Sequence, residues 1–260
     1  MDAASPTLIA LLTDFGMRDW YVGAMKGVLL RNCPQAQLVD ITHSISPGDI
    51  EAGAFVLSQC WREFPPGTVF LAVVDPGVGT PRKAVAVRAN GHFFVGPDNG
   101  LFGFLENYEA REITGTDFHR TGTSHTFHGR DIFAPAAARL ASGADFASIG
   151  TDSDNLVSTV WPQVEFMREG VHGCIIAFDH FGNAITNLRR EDVAVHFSPE
   201  SLHVSLHPDR LPLVKTFGDV SPGAPLAYFG SGGFLEIAIN GGNARDVLGL
   251  KKHQTVEMLT

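Results

Sequence analysis

The stretch TVFLAVVDPGVGTPR, residues 68–82, decides the fold class. Its first half is an apolar, β-branched run of strand length. It stops on a carboxylate, Asp75, and breaks into Pro76, Gly77 and Gly79. A short apolar run ending in an acidic residue and a Gly/Pro turn reads as the C-terminal end of a buried sheet strand. In open α/β sheets that edge is where ligands bind. Proline and glycine there let the backbone turn sharply and lie close to a bound group. Arg82, further along the same loop, is a candidate partner for Asp75.

Working outward, residues 7–12 read as a first strand that ends at Asp14, and Tyr21 to Leu30 has helical spacing. Gln37 to Ile41 reads as a second strand. Asp49 then caps a helix whose body is Ala52 to Trp61. This β-α-β-α-β order predicts a parallel sheet with helices on its faces. Downstream, Ala84–Val87 and His92–Val95 flank Asn90-Gly91, a hairpin signal. A short helix is expected from Gly100 through Glu106, a loop over 115–127, and an Ala-rich helix from Ile132 to Leu140 with Asp131 near its start.

From residue 173 the pattern changes. Short apolar runs at 173–178, 203–206, 224–229 and 234–239 alternate with Gly/Pro/Asp turns, with one short helix near Asn243–Leu248. This suggests a small antiparallel barrel or sandwich. The expected organisation is an α/β N-terminal domain over 1–150, its sheet mostly parallel, then a polar linker over 151–172 and a smaller all-β, barrel-like domain over 173–260.

A net charge of −9 argues against nucleic acid or an anionic membrane as partner, since both demand a basic face. No basic segment precedes the short apolar run at Leu8, and no run is long enough to span a bilayer, so a soluble cytoplasmic protein is expected. The three cysteines, Cys33, Cys60 and Cys174, are odd in number and far apart, as for reduced thiols.

Three loops of the first domain carry chemistry-bearing side chains: Asp14, Asp75 with Arg82, and His128 with Asp131. A metal site built from Asp14, Asp75, Asp131 and His128 is one reading. The glycines and prolines beside those carboxylates suit close backbone approach better than a cage of ligands, and Arg82 would repel a cation. No metal is assigned.

TDFG at 13–16, DPGVGT at 75–80, GPDNG at 96–100, FHGRDIFAP at 127–135, DHFGNAITN at 179–187 and SGGFLEIAIN at 231–240 stand in order along the chain. Together they resemble the S-adenosylmethionine hydroxide adenosyltransferase family, which is similar to the fluorinases and chlorinases. The resemblance implies an N-terminal α/β domain and a C-terminal β-barrel, assembled as a homotrimer with substrate between the N-domain of one subunit and the C-domain of the next. Water or hydroxide would attack ribose C5′ of S-adenosyl-L-methionine, releasing methionine and leaving adenosine. No cofactor is implied. Asp75, Arg82 and His128 match the water-positioning triad, and Asp14 the acceptor for the ribose diol. Asp179 matches the partner of the methionine amine. Phe181 and Asn183 match adenine contacts, and Ser231 and Tyr21 lie where the carboxylate is bound. Gly241 completes the substrate-binding set.

Those residue types suit the chemistry. A sulfonium leaves as a neutral thioether, so catalysis reduces to aligning one water and partly deprotonating it. A neighbouring Arg lowers a carboxylate, whereas an unperturbed His titrates near about 6.5. His128 is therefore expected to assist proton removal while Asp75 and Arg82 hold the water. Two rival readings remain. One is a halogenase, whose relatives carry an aromatic or aliphatic residue at position 75 and an insertion where this chain has Asn90-Gly91. The other is a non-catalytic S-adenosylmethionine or adenosine sensor. Gly48 stands where relatives often carry an aromatic over the ribose.

Overall fold

In a computed structural model the chain is described at residues 7–115, 118, 122–158, 161–207 and 209–260. It divides into two compact units, Met1–Val160 and Trp161–Thr260.

The first unit is built on a seven-stranded sheet. Its strands are β1 (Leu8–Thr13), β2 (Gln37–Thr42), β3 (Val69–Val73), β4 (Ala84–Ala89), β5 (His92–Pro97), β6 (Glu109–Ile113) and β7 (Gly150–Asp152), in the order β2-β1-β3-β5-β4-β6-β7. Its helices are α1 (Tyr21–Asn32), α2 (Ile50–Cys60) and α3 (Ala134–Ala141). Strand residues alternate between faces. Ile9 and Leu11 therefore join Met25 and Leu29 of α1 and the alanines of α3 in one core. On the opposite face, Leu12 and Val74 receive α2 at Gly53. Asp49 accepts the Ala52 N–H at 3.0 Å, which fixes the start of α2.

The sheet is mixed, and the expectation of a mostly parallel one is corrected. The β2-β1-β3-β5 side is parallel, while β5-β4-β6-β7 is antiparallel. The reversal begins at Asn90 and Gly91, both at positive φ, the tight turn that returns β4 into β5. The helix expected through Glu106 is absent: residues 101–104 form turns. The stretch 151–172, read as linker, contributes to both sheets, through β7 and through β8 (Glu165–Met167).

The second unit is an eight-stranded antiparallel sheet of β8, β9 (Gly170–Phe178), β10 (Ala184–Arg189), β11 (His203–Leu206), β12 (Asp209–Leu211), β13 (Pro225–Phe229), β14 (Phe234–Ile239) and β15 (Thr255–Leu259). The order is β12-β11-β15-β9-β10-β14-β13, with β8 on β9. Backbone bonds from Ala227 to Pro212 and from Val214 to Ala227 join the two ends, so the sheet nearly closes. Val171, Ile175, Leu188, Val204, Leu235, Ile237 and Val256 fill its interior. Two short helices, α4 (Arg190–His196) and α5 (Ala244–Val247), interrupt the strands. Among the described residues no helix is long and apolar enough to cross a membrane.

Candidate active site

Parallel neighbours end at one edge of the sheet, so β1, β2 and β3 deliver Asp14, the 43–48 loop and Asp75 to the same place. Asp75 is clamped by Arg82: Nε lies 3.0 Å from Oδ1 and 3.1 Å from Oδ2, and Nη2 lies 2.5 Å from Oδ2. The pair is nearly covered, with side chains 5% and 10% exposed, and the guanidinium packs over the Phe133 ring. Phe133 ends a π-helical turn, Gly129–Phe133, that begins just after His128 and leads into α3. Such turns are frequent at functional sites.

The third member closes the cluster. Arg82 Nη2 donates to His128 Nδ1 at 2.7 Å. A guanidinium can only donate, so Nδ1 accepts and the neutral ring carries its proton on Nε2. Burial pushes the imidazole below its ordinary range, and the Arg82 charge adds to that. With Nδ1 engaged and Nε2 protonated, the ring can donate, whereas the Asp75 carboxylate can only accept.

Asp14 accepts the Gly48 N–H on Oδ2 at 2.8 Å. Burial raises its carboxyl above the usual range, opposed by that N–H, and the Asp75 charge raises it further. Gly48 sits at φ +75°, a conformation that favours glycine. Beneath Asp14 runs a chain that sequence reasoning missed. Phe15 N–H donates to Thr13 Oγ1 (3.2 Å), which meets His43 Nδ1 (2.8 Å). His43 Nε2 lies 3.1 Å from Asp40, which Lys26 holds at 2.6 Å. A polar residue at the buried end of β1 was the available signal.

Tyr21 opens α1 and packs edge-on to Phe127 and Phe15 beside exposed Trp20. Asp131 is fully buried and is held by Arg130 and the Ser124 N–H. Among the described residues no group of three or more His, Cys, Asp or Glu side chains is arranged to hold a metal ion.

In the second unit a cavity of about 950 Å³ gathers Asp179, Phe181, Asn183, Ser231 and Gly241. Asp179 organises its rim: Oδ1 accepts the N–H groups of Phe181 (2.9 Å) and Asn183 (2.8 Å), and Oδ2 accepts the Asn183 amide at 2.8 Å. Phe181 is 72% exposed and meets the His180 ring edge-on. Tyr228 and Glu236, both unremarked in the sequence, line the same cavity and hydrogen-bond to each other.

Comparison with known proteins gives a consistent result. Residues 9–150 match the SAM hydroxide adenosyltransferase N-terminal domain, and residues 173–257 the C-terminal domain of the same family. A Thermus thermophilus protein named (R)-S-adenosyl-L-methionine hydrolase is 41% identical over 263 residues, covering 96% of this chain and 99% of that one. A fluorinase from Actinopolyspora mzabensis is more distant, 30% identical over 294 residues, covering 99% and 98%. The crystal structure of a conserved Thermotoga maritima protein superposes with a TM-score of 0.89 at 36% identity, covering 97% of this chain and all of that one.

Proposed function

Because the chain belongs to the S-adenosylmethionine hydroxide adenosyltransferase family, we propose that it hydrolyses S-adenosyl-L-methionine to adenosine and L-methionine. Water or hydroxide attacks ribose C5′. The new C–O bond forms as the C5′–S bond breaks, and the bonding pair leaves on sulfur as a neutral thioether. No general acid is needed at the leaving group, and no cofactor is assigned.

The observation that carries this reading is the Asp75–Arg82–His128 clamp. Arg82 holds the carboxylate and the imidazole from one guanidinium. Water held between an Asp75 oxygen and His128 Nε2–H is aligned for in-line attack, and its proton passes to Asp75 and on to solvent. Alignment of this kind supplies a large part of a displacement barrier. Asp14 accepts the ribose hydroxyls, Asp179 pairs with the amine, Phe181 and Asn183 take the adenine, Tyr21 and Ser231 take the carboxylate, and Gly241 lines the substrate cavity. By the family resemblance the working form is a cytoplasmic homotrimer in which each site draws on two subunits. The relatives' name points to the (R)-sulfonium epimer as substrate.

Halogenation is the weaker reading. The Asp75 carboxylate would repel a halide, and the chain has only the tight Asn90-Gly91 turn where fluorinase-type relatives carry an insertion. Reaction in ¹⁸O-labelled water tests the proposal. The label should enter the 5′-hydroxyl of adenosine; label in methionine, or release of free adenine, contradicts it. Mixing Asp75→Ala with Asp179→Ala subunits should restore activity if sites are shared between subunits, and leave none if they are not.

A further inference from the structure

The floor of the second unit's cavity is a single cross-strand row. In the register of β10, β14 and β13, Ile185 lies opposite Glu236 and Glu236 opposite Tyr228. Opposed residues share a face and their side chains touch. The flanking positions Ala184, Leu235, Ile237 and Ala227 point the other way, into the buried core. Glu236 is thus the one charged residue in the run FLEIAI and stands on the face that lines the cavity.

Its setting is built for a carboxylate. The Tyr228 hydroxyl donates to Oε2. The other oxygen rests flat against Gly230, where an added Cβ would come within 1.9 Å of Oε1, so any side chain at 230 would displace the carboxyl. Among the described residues Oε1 has no hydrogen-bond donor, and no Lys, Arg or His lines the cavity. Asp179, by contrast, already accepts from Phe181 and twice from Asn183. Burial pushes the Glu236 carboxyl above its usual range, and the Asp179 charge pushes it further against the Tyr228 bond. A half-buried, uncompensated carboxylate favours a cation beside it. Ile185, Ile239 and Phe217 supply apolar wall around it, which suits a cation on a short aliphatic carrier.

We propose that Glu236, held by Tyr228, is a substrate-binding residue that receives a primary ammonium group. On the reading of the substrate as S-adenosyl-L-methionine, from which this follows, that group is the α-ammonium of the methionine part. Asp179 orders the rim beside it and shares the charge. Glu236 is then a specificity determinant: it separates ligands that carry the amine from those that lack it.

Calorimetric titration of the full chain, carried in an Asp75→Ala background so that ligand is not consumed, tests this, with S-adenosyl-L-methionine and with its analogue bearing hydrogen in place of the α-amino group. Glu236→Gln should weaken binding of S-adenosyl-L-methionine about 10- to 100-fold, the loss expected for a hydrogen bond between charged partners. The same variant should bind the analogue as its Asp75→Ala parent does, within about threefold. Equal weakening of both ligands, or no weakening of either, overturns the assignment. Tyr228→Phe, which leaves the carboxylate in place, should show the same selectivity on a smaller scale. It decides the matter if Glu236→Gln fails to fold, and an unselective Tyr228→Phe overturns it. Adenosine release from the wild type is measured in parallel. A parent that prefers the amine-bearing ligand, with a wild type that releases no adenosine, removes the hydrolase reading and supports this one; binding of neither ligand and no adenosine overturns both.

Discussion

Arg82 Nη2 lies 2.5 Å from Asp75 Oδ2 and 2.7 Å from His128 Nδ1. One guanidinium nitrogen therefore sets both the carboxylate and the imidazole tautomer. A lysine in its place is a point charge without the planar fork and cannot hold both. Arg82→Lys should lower kcat by about 100-fold, the scale of losing one preorganised electrostatic contact, with KM changed by less than about threefold. Steady-state kinetics check this. A loss confined to KM would make Arg82 a substrate-binding residue instead.

The same contact sets the pH response. His128 has its proton affinity depressed by burial and by Arg82, so the fold favours the neutral ring. Protonation would place a second donor against the guanidinium and break the clamp. Stability and activity due to this group should be complete above about 6.5, the unfolded value, and be lost as pH falls through the lower folded one. The acidic limb of kcat/KM should therefore lie below about 6.5 and vanish from a His128→Asn variant. A limb that survives in that variant would place the titrating group elsewhere.

The Thr13–His43–Asp40–Lys26 chain holds the strand end that carries Asp14. Thr13 and His43 are buried, so removing one hydroxyl strands its partners. Thr13→Val keeps the shape and deletes the hydroxyl. It should cost about 1–3 kcal/mol of stability by urea unfolding and raise KM more than it lowers kcat. An unchanged midpoint would mean that the chain contributes nothing to the fold.

Gly48→Ala tests the loop from the other side. At φ +75° a Cβ is strained, and it would approach Pro76 Cβ to 3.5 Å. A cost of about 1–2 kcal/mol and a raised KM are expected, because the Gly48 N–H that Asp14 accepts would shift. Thermal melting and kinetics on one preparation measure both; a variant with wild-type KM would detach Gly48 from the ribose pocket.

The parallel half of the first sheet was legible because its strands alternate with helical periods and end in Asp14 and Asp75. Of the antiparallel half, the β4–β5 hairpin was legible at Asn90-Gly91, but β6 and β7 were not. β6 reads EAREI, with charges that resemble a loop, and its pairing with β4 and β7 makes it a strand. The site divides in the same way. Asp75, Arg82 and His128 announce themselves by Gly/Pro turns and by family motif. The tautomer of His128 depends on a contact between residues 46 positions apart, and no local pattern carries that. Glu236 was hidden for a related reason: a charge on an alternating strand reads as solvent-facing until the fold shows that it lines a cavity beside Tyr228.

The most direct test of the account is chromatography of the purified protein incubated with S-adenosyl-L-methionine, with and without millimolar chloride. The account predicts adenosine and methionine in equal amounts in both samples, and neither from Asp75→Ala. A chloride-dependent 5′-chloro product, or substrate recovered unchanged, would contradict it.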